Sequence, residues 1–362
     1  MSDQDHMAHA LRLAARGLGR TWPNPAVGCL IVKNGVVLGR GWTQPGGRPH
    51  AETMALAQAA EGARGATAYV TLEPCAHHGK TPPCANALID AGVARVVSAA
   101  TDPDPRVADR GHAMLRAAGI SVTEGVLEAE AVALNEGFFQ RILRGTPLVT
   151  LKLALTLDGR IANAAGASQW ITGPVARRAV HLQRAVHDAV MVGIGTALAD
   201  DPDLTVRDLG VSHQPVRIVI DSQLRLPATG RLAQSARINP VWVCHSADTP
   251  VPERLQDIGL TLVPCAPDVA GRVDIHQALQ QLATRGLTRI FCEGGGTLAA
   301  SLIAAGQADA IIAFSAGRVF GANGTAGVGL LDGGPTLLEP DYVLTSVQVV
   351  GSDVMHIWRL RR

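Results

Sequence analysis

Three candidate metal ligands, His50, Cys75 and Cys84, must meet at one point in space if they bind one ion, which restricts how the first part of the chain can fold. One imidazole and two thiolates form a ligand set for zinc that leaves the fourth tetrahedral position to water. Zinc activates water at neutral pH, and a carboxylate beside the metal can move the protons. The sequence therefore predicts a zinc site, with Glu52 as its proton shuttle.

Two of these ligands, His50 and Cys84, are each predicted to lie at the start of a helix. His50 precedes an alanine-rich segment, residues 51–60, and Cys84 follows two prolines and opens a second helix over residues 85–91. A helix N-terminus presents unpaired N–H groups and a partial positive charge, which favour a thiolate over a thiol. The predicted local structure thus suits the predicted ligands.

Short apolar runs alternate with helical patterns throughout the first half. An Asn34-Gly35 turn joins the first two strands and indicates a hairpin. The predicted strands are residues 27–32, 36–41, 67–71, 95–99 and 121–125, and further helices are predicted over residues 3–16, 111–118 and 129–144. This alternation predicts a three-layer α/β domain over residues 1–145.

Asn24 lies between Pro23 and Pro25, which exclude a helix and fix the backbone on both sides. A rigid amide next to a strand is well placed to read the polar edge of a substrate. It could equally be a turn asparagine that bonds its own backbone. The segment alone leaves both interpretations open.

The overall composition excludes several classes of protein. With 32 basic and 31 acidic side chains, the net charge of +1 does not favour nucleic acid or an anionic membrane as a partner. No apolar run approaches the roughly 20 residues of a membrane span, and the acidic start lacks the order of a secretory signal, so we expect a cytoplasmic protein. Six cysteines in 362 residues do not make a disulfide framework. The sequence leaves open whether the chain forms a homo-oligomer.

A second domain is predicted over residues 146–362, because basic residues, Gly145 and Pro147 mark a helix stop. Strands and helices alternate again, with a polar loop expected over residues 195–207 and an antiparallel pair at the C-terminus. Gly294-Gly295-Gly296 follows a strand and opens a helix, which suits a phosphate cradle but also a simple tight turn. Length and pattern thus allow a second active site.

The first half resembles the bifunctional riboflavin-biosynthesis deaminase-reductases. The motifs that carry the resemblance are Thr21-x-Pro23-Asn24-Pro25-x-Val27-Gly28, His50-Ala51-Glu52 and Thr71-Leu72-Glu73-Pro74-Cys75-x-His77-x-Gly79-Lys80-Thr81-Pro82-Pro83-Cys84. Eight residues separate the two cysteines, where most zinc deaminases have two. The resemblance implies a cytidine-deaminase-like fold with His50, Cys75 and Cys84 on zinc and Glu52 as proton shuttle. It also implies Asn24, His77 and Lys80 on the substrate side, and Arg106 is a weaker candidate for a substrate phosphate.

The same family matches the second half and implies a dihydrofolate-reductase-like α/β domain that uses NADPH. The matching stretches include Leu157-Asp158-Gly159-Arg160, Ser168-Gln169-Trp170-Ile171-Thr172, Leu204-Thr205-Val206-Arg207 and Glu293-Gly294-Gly295-Gly296. The implied NADP contacts are Ala154, Trp170, Thr196, Asp200, Ser222, Gly295, Gly296, Thr297, Leu298, Ala299, Ala300 and Ser301. The implied substrate contacts are Ser168, Arg184, Leu204, Arg207 and Glu293. The guanidinium groups of Arg184 and Arg207 suit a ribose phosphate, because each can bind two phosphate oxygens.

The resemblance implies two successive reactions on a small pyrimidine ribotide. The first is hydrolytic deamination of 2,5-diamino-6-(5-phosphoribosylamino)pyrimidin-4-one, with Zn²⁺ as cofactor. The second is reduction of the ribosyl group to ribityl by NADPH, for which Lys152, Asp200 and Glu293 are candidate acids. One alternative is another nucleoside or nucleic-acid deaminase with a separate C-terminal binding domain. A binding protein with structural zinc is a second, although a structural site prefers four protein ligands.

Overall fold

The computed structural model describes residues 1–76, 82–105, 107–331 and 341–362. The chain divides into an N-terminal unit, Met1–Gly145, and a C-terminal unit, Thr146–Arg362. The division falls where Gly145, with a φ of 72°, ends a helix in the left-handed conformation that glycine adopts without strain. Within the described residues, no helix combines the length and the apolar character needed to cross a membrane.

The N-terminal unit has one sheet covered on both faces, and its strand order is β2-β1-β3-β4-β5. Its strands are β1 (Gly28–Lys33), β2 (Val36–Trp42), β3 (Thr67–Leu72), β4 (Arg95–Ala100) and β5 (Ser121–Thr123). Its helices are α1 (Asp3–Ala14), α2 (Ala51–Ala59), α3 (Cys84–Asp90), α4 (Arg110–Ala117), α5 (Glu128–Leu134) and α6 (Glu136–Arg144). β1 is antiparallel to both neighbours, and β3, β4 and β5 run parallel.

Two glycines let helices lie directly on the two faces of this sheet. A Cβ on Gly28 would lie 1.9 Å from the carbonyl oxygen of Ala10 in α1, and a Cβ on Gly41 would lie 2.0 Å from that of Ala51 in α2. Any side chain at either position would push its helix outward. The predicted three-layer α/β arrangement is confirmed, and Gly41 fixes the start of α2, where the predicted zinc ligand His50 lies.

The C-terminal unit is built on a sheet that, among the described residues, has nine strands in the order β11-β10-β9-β8-β12-β6-β13-β16-β15. The strands of the unit are β6 (Leu148–Thr156), β7 (Arg160–Ala162), β8 (Ala189–Gly193), β9 (Val216–Ile220), β10 (Val241–Ser246), β11 (Thr261–Cys265), β12 (Arg289–Gly294), β13 (Ala310–Ala316), β14 (Thr325–Ala326), β15 (Tyr342–Val350) and β16 (Asp353–Leu360). The helices are α7 (Pro174–Ala185), α8 (Ile194–Asp200), α9 (Arg231–Gln234), α10 (Ile275–Thr284) and α11 (Gly296–Ala304).

Most of this sheet is parallel, from β11 to β13, and the C-terminal strands β15 and β16 add the predicted antiparallel pair. Parallel strands place their carboxyl ends at one edge of the sheet, where ligands bind in open α/β folds. The predicted binding residues that follow β8, β9 and β12 therefore belong to the same edge.

Two local predictions were wrong. The expected loop over residues 195–207 begins with α8, because alanine and leucine favour a helix and Ile194 and Ala197 bury against the core. The expected single helix over residues 129–144 is divided at Asn135. The amide of this residue accepts from the N–H of Ala26 and donates to its C=O, both at 2.9 Å. A tertiary contact thus overrides the helical pattern.

His187 is a buried, neutral histidine of the C-terminal unit. Its Nδ1 donates to the carbonyl of Gln183 at 2.7 Å, and its Nε2 accepts from the hydroxyl of Thr150 at 3.2 Å. Burial, and then the charge of Arg289, lower the pKa of His187 from 6.5 to about 3. The imidazole is thus harder to protonate in the folded chain than in the unfolded chain.

We expect His187 to make this unit less stable in acid. Its contribution to the unfolding free energy is complete above pH 6.5. This contribution is lost progressively as the pH falls toward about 3, because over that range only the unfolded state takes up the proton. Full-chain urea unfolding between about pH 6 and about pH 4 should show that His187→Gln reduces the slope of unfolding free energy by about 1.4 kcal/mol per pH unit. The exposed His276 provides a control variant, His276→Gln. An unchanged slope in His187→Gln would contradict the prediction.

Candidate active sites

The three predicted zinc ligands lie together at one end of the N-terminal sheet. His50 immediately precedes α2, Cys75 follows β3, and Cys84 is the first residue of α3. His50 Nδ1 is 3.3 Å from Cys84 Sγ and 3.7 Å from Cys75 Sγ. Tetrahedral zinc would place such nitrogen and sulphur atoms about 3.5 Å apart. The donor set therefore fits a zinc ion in both chemistry and spacing.

The two sulphur atoms differ in acidity. A hydrogen bond from the Cys84 thiol, and then one from the His50 ring, lower the pKa of Cys75 to about 4, although burial opposes the shift. The backbone N–H of Cys84 also donates to Cys75 Sγ at 3.3 Å. The same contact with Cys75, followed by burial, raises the pKa of Cys84. A cation bound between the two sulphur atoms would favour the thiolate form of both.

Glu52 lies in the first turn of α2 and is only 3% exposed. Burial, and then the negative charge of Cys75, raise its pKa to about 7, while His50 opposes the shift. The carboxyl group lines the same cavity as His50 and Cys75, so it can exchange protons with a ligand there. This position is the one that the predicted proton shuttle requires.

Asn24, His50, Glu52 and Cys75 line one cavity of about 630 Å³. Its other described lining residues include apolar, acidic and basic side chains: Val27, Leu72, Val107, Phe138, Ile142, Asp102, Asp104, Arg48, Arg110 and Arg141. His77, Lys80 and Arg106, which sequence analysis placed on the substrate side, lie outside the described residues. The cavity has room for a small-molecule substrate beside the predicted zinc ligands.

Sequence analysis assigned no role to Glu73, which is 5% exposed. Its carboxylate accepts hydrogen bonds from the backbone N–H groups of Asp102 at 3.2 Å, Asp109 at 3.0 Å and Gly111 at 2.8 Å. These bonds tie the segment after β4 to the segment that carries Cys75. The only signal was a glutamate directly before the Pro-Cys pair, and nothing in the sequence identified its distant partners.

In the C-terminal unit, the predicted substrate contacts Arg184 and Glu293 bind each other. Arg184 Nη2 donates to Glu293 Oε2 at 3.0 Å, Nε donates to Oε1, and Nη1 donates to the carbonyl of Thr205 at 2.7 Å. Their side chains are 11% and 9% exposed. Burial alone would raise the pKa of Glu293, but Arg184, with smaller contributions from Lys152 and His181, lowers it overall. The pair links α7, β12 and the segment after α8.

Lys152 of β6 belongs to the same group of charges. Burial lowers its pKa, while the carboxylates of Glu293 and Asp200 act in the opposite direction. Burial also raises the pKa of Asp200, and Lys152 opposes that shift. The predicted NADP contact Ala154 lies two residues further along β6, on the same face of the strand as Lys152. The structure therefore places three of the predicted residues, Glu293, Asp200 and Ala154, around Lys152.

The glycine-rich turn between β12 and α11 contacts two other segments. A Cβ on Gly295, which has a φ of 55°, would lie 3.0 Å from Thr196 Oγ1, and a Cβ on Gly296 would lie 2.9 Å from the carbonyl oxygen of Ala326. Gly295 and Thr196, both predicted NADP contacts, are thus neighbours. The remaining predicted contacts on α11 are Thr297, Ser301 and the buried Leu298, Ala299 and Ala300. The first N–H groups of α11 have no acceptor within the helix, as at any helix start, and such groups suit phosphate.

Trp170 is 59% exposed, and the guanidinium of Arg177 stacks 4.7 Å from its ring centroid. Trp170 borders a second cavity of about 420 Å³, which Arg177 and Arg318 also line. Ser168 is half-buried in the same loop. Ser222 lies just after β9, and its hydroxyl accepts from the N–H of Val273 at 2.9 Å.

Leu204 and Arg207 follow α8 and differ in orientation. The side chain of Leu204 is buried in the core, so only its backbone is available to a ligand. The guanidinium of Arg207 is exposed and lies 3.2 Å from a carboxylate oxygen of Asp203. Its backbone N–H donates to Nδ1 of His181, a residue that sequence analysis did not single out.

The fold and these two groups of residues define a deaminase joined to a reductase. Residues 1–100 match the family described as the cytidine and deoxycytidylate deaminase zinc-binding region. Residues 147–356 match the family described as the RibD C-terminal domain. The second match excludes the alternative of a deaminase with an unrelated C-terminal binding domain.

Full-length relatives identify the family. The riboflavin biosynthesis protein RibD of Escherichia coli K12 is 43% identical over 369 residues, which cover 98% of each chain. A structure of Acinetobacter baumannii RibD aligns with a TM-score of 0.89 at 39% identity over 99% of each chain. The structure of a Thermotoga maritima diaminohydroxyphosphoribosylaminopyrimidine deaminase/5-amino-6-(5-phosphoribosylamino)uracil reductase aligns with a TM-score of 0.85 at 34% identity over 99% of each chain. The chain belongs to the RibD family of bifunctional riboflavin-biosynthesis deaminase-reductases.

Proposed function

We propose that the N-terminal unit deaminates 2,5-diamino-6-(5-phosphoribosylamino)pyrimidin-4-one and that the C-terminal unit then reduces the ribosyl group of the product with NADPH. The observation that carries the proposal is the convergence of His50, Cys75 and Cys84, next to a cavity that His50, Cys75 and the buried Glu52 line. The Thermotoga maritima relative is named for the same deamination and the same reduction.

In the N-terminal unit, His50, Cys75 and Cys84 would hold a zinc ion. When bound, zinc supplies a Lewis acid that activates water at neutral pH. Glu52 takes up a proton from water and delivers it to the departing amine, because its carboxyl group is buried in the same cavity as the ligands His50 and Cys75. Asn24 contacts the pyrimidine and holds its amine-bearing carbon toward the ligand cluster.

In the C-terminal unit, NADPH when bound supplies a hydride to the ribosyl carbon. The Gly295 turn and the first turn of α11 bind its phosphates through backbone N–H groups, and Thr196 and Ser222 add hydroxyl contacts. Glu293 and Lys152, whose charges act on each other, contact the polar atoms of the pyrimidine. Arg184 keeps Glu293 in place, and the exposed Arg207 contacts the ribose phosphate.

The two reactions can be tested together with zinc-loaded full-length protein and the diaminopyrimidine ribotide. We expect ammonia release without NADPH, and loss of NADPH absorbance only after ammonia has formed. Ammonia release with no loss of NADPH would contradict the assignment of the C-terminal unit. If neither signal appears, the proposed substrate is wrong.

A further inference from the structure

The amide of Asn24 is held in one orientation. Its Nδ2 donates to the carbonyl oxygen of Gly47 at 2.9 Å. A carbonyl can only accept, so the nitrogen rather than the oxygen of the amide must face Gly47. Oδ1 is therefore turned away from Gly47 on a residue that lines the cavity. Among the described residues, no donor bonds to this oxygen.

Gly47 also packs against this amide. Its φ is 81°, and a Cβ built on it would lie 2.3 Å from Nδ2 and 2.7 Å from Cγ of Asn24. Asn24 has little room to retreat, because Pro23 and Pro25 restrict its backbone and Asn135 bonds both backbone groups of Ala26. A methyl group at position 47 must therefore displace the amide.

We propose that Gly47 is a positioning residue for deamination, which holds Asn24 with Oδ1 toward the substrate, so that this point of the cavity accepts an N–H group of the aminopyrimidine. The inference rests on the proposed role of Asn24 as a substrate contact. A ligand that presented only an acceptor to Asn24 Oδ1 would bring two acceptors together without a proton between them, which is unfavourable. The diaminopyrimidine carries several N–H groups that can serve as the donor.

Gly46 provides a matched control for Gly47. It belongs to the same turn, Pro45–Gly47, and has a similar φ of 75°, but a Cβ on it would meet nothing within 4 Å. Gly46→Ala and Gly47→Ala therefore share the backbone strain of an alanine at positive φ. Only Gly47→Ala also displaces Asn24.

We would compare both variants in the zinc-loaded full chain. Gly47→Ala should raise KM for deamination about tenfold relative to Gly46→Ala, with little change in kcat, because a hydrogen bond made to both bound substrate and transition state acts on KM. Loss of folded or zinc-loaded protein would instead lower the apparent kcat at unchanged KM. NADPH-dependent reduction of the deaminated product reports whether the rest of the chain is intact.

The effect should disappear when Asn24 is absent. Asn24→Ala should raise KM by a similar factor, and adding Gly47→Ala should change nothing further. If Gly47→Ala matches Gly46→Ala while Asn24→Ala raises KM, the positioning inference is overturned and the role of Asn24 stands. If Asn24→Ala has no effect, the substrate contact and the inference both fail, although ammonia release by the wild type would still support the deaminase assignment.

Asn24→Asp tests the same inference if Gly47→Ala does not fold. Aspartate keeps an acceptor but cannot donate to the Gly47 carbonyl, so it loses the hydrogen bond that fixes the side chain. We expect Asn24→Asp to raise KM as much as Asn24→Ala. Retention of the wild-type KM in Asn24→Asp would overturn the inference, because an acceptor alone would then suffice.

Discussion

Replacing Glu52 by glutamine is expected to lower the rate of deamination at least about a hundredfold. Glutamine has nearly the same shape as glutamate and can occupy the same buried position, but it cannot accept a proton from water. Because His50, Cys75 and Cys84 remain unchanged, the variant should bind as much zinc as the wild type. Ammonia release and zinc content measured on the same sample check both parts of the prediction.

Two controls accompany the Glu52→Gln variant. Glu61→Gln removes an exposed carboxylate from the same unit and should leave both activities unchanged. Reduction of the deaminated product by NADPH should proceed at the wild-type rate in both variants, because that reaction is assigned to the other unit. Wild-type deamination by Glu52→Gln with full zinc content would exclude Glu52 as the proton shuttle.

Replacing Glu293 by glutamine should have the largest effect in the C-terminal unit. The change leaves the buried guanidinium of Arg184 without its carboxylate, and breaking such a pair costs about 3 to 5 kcal/mol. We expect a loss of this size in the unfolding free energy of the C-terminal unit. Reduction should fall at least about a hundredfold, because the carboxylate proposed to position the substrate is absent. Urea unfolding and NADPH consumption with the deaminated product measure the two effects, and ammonia release should not change.

A double variant separates stability from reduction. Replacing both partners by apolar residues, Arg184→Met with Glu293→Leu, removes both charges and should recover much of the lost stability. Reduction should not recover, because the groups that contact the substrate are absent. Arg272→Met removes one side of the exposed pair with Asp268 and should cost less than about 1 kcal/mol. A stable but inactive double variant is the decisive result, and recovered reduction would contradict our assignment.

Local signals in the sequence explain why much of the N-terminal site could be predicted. Proline, glycine and alanine mark where helices begin, so the sequence placed His50 and Cys84 correctly at helix starts. Asn34-Gly35 marked the hairpin of β1 and β2, because Asn-Gly suits a tight turn with positive φ. These signals depend only on residues that are close together in the chain.

The C-terminal site was less predictable because its geometry depends on residues far apart in the chain. Sequence analysis named Arg184 and Glu293 as separate substrate contacts, yet they form one buried ion pair. The segment expected to be a loop begins with α8, since burial of Ile194 and Ala197 stabilises a helix there. Glycines at 295 and 296 suggested a phosphate turn, but their close contacts with Thr196 and Ala326 were not visible in the sequence.

Patterns carried by short segments were enough to specify the α/β class, the two successive sheets and the family. The orientation and pairing of the side chains, in contrast, depended on the tertiary fold. In the folded chain, the carbonyl of Gly47 sets the orientation of the Asn24 amide, and the backbone N–H of Gly111 binds the carboxylate of Glu73. Arg184 is likewise paired with Glu293 only by the fold. Hydrogen bonds and buried charges act over a few ångströms, so their partners are fixed only when distant segments fold against each other.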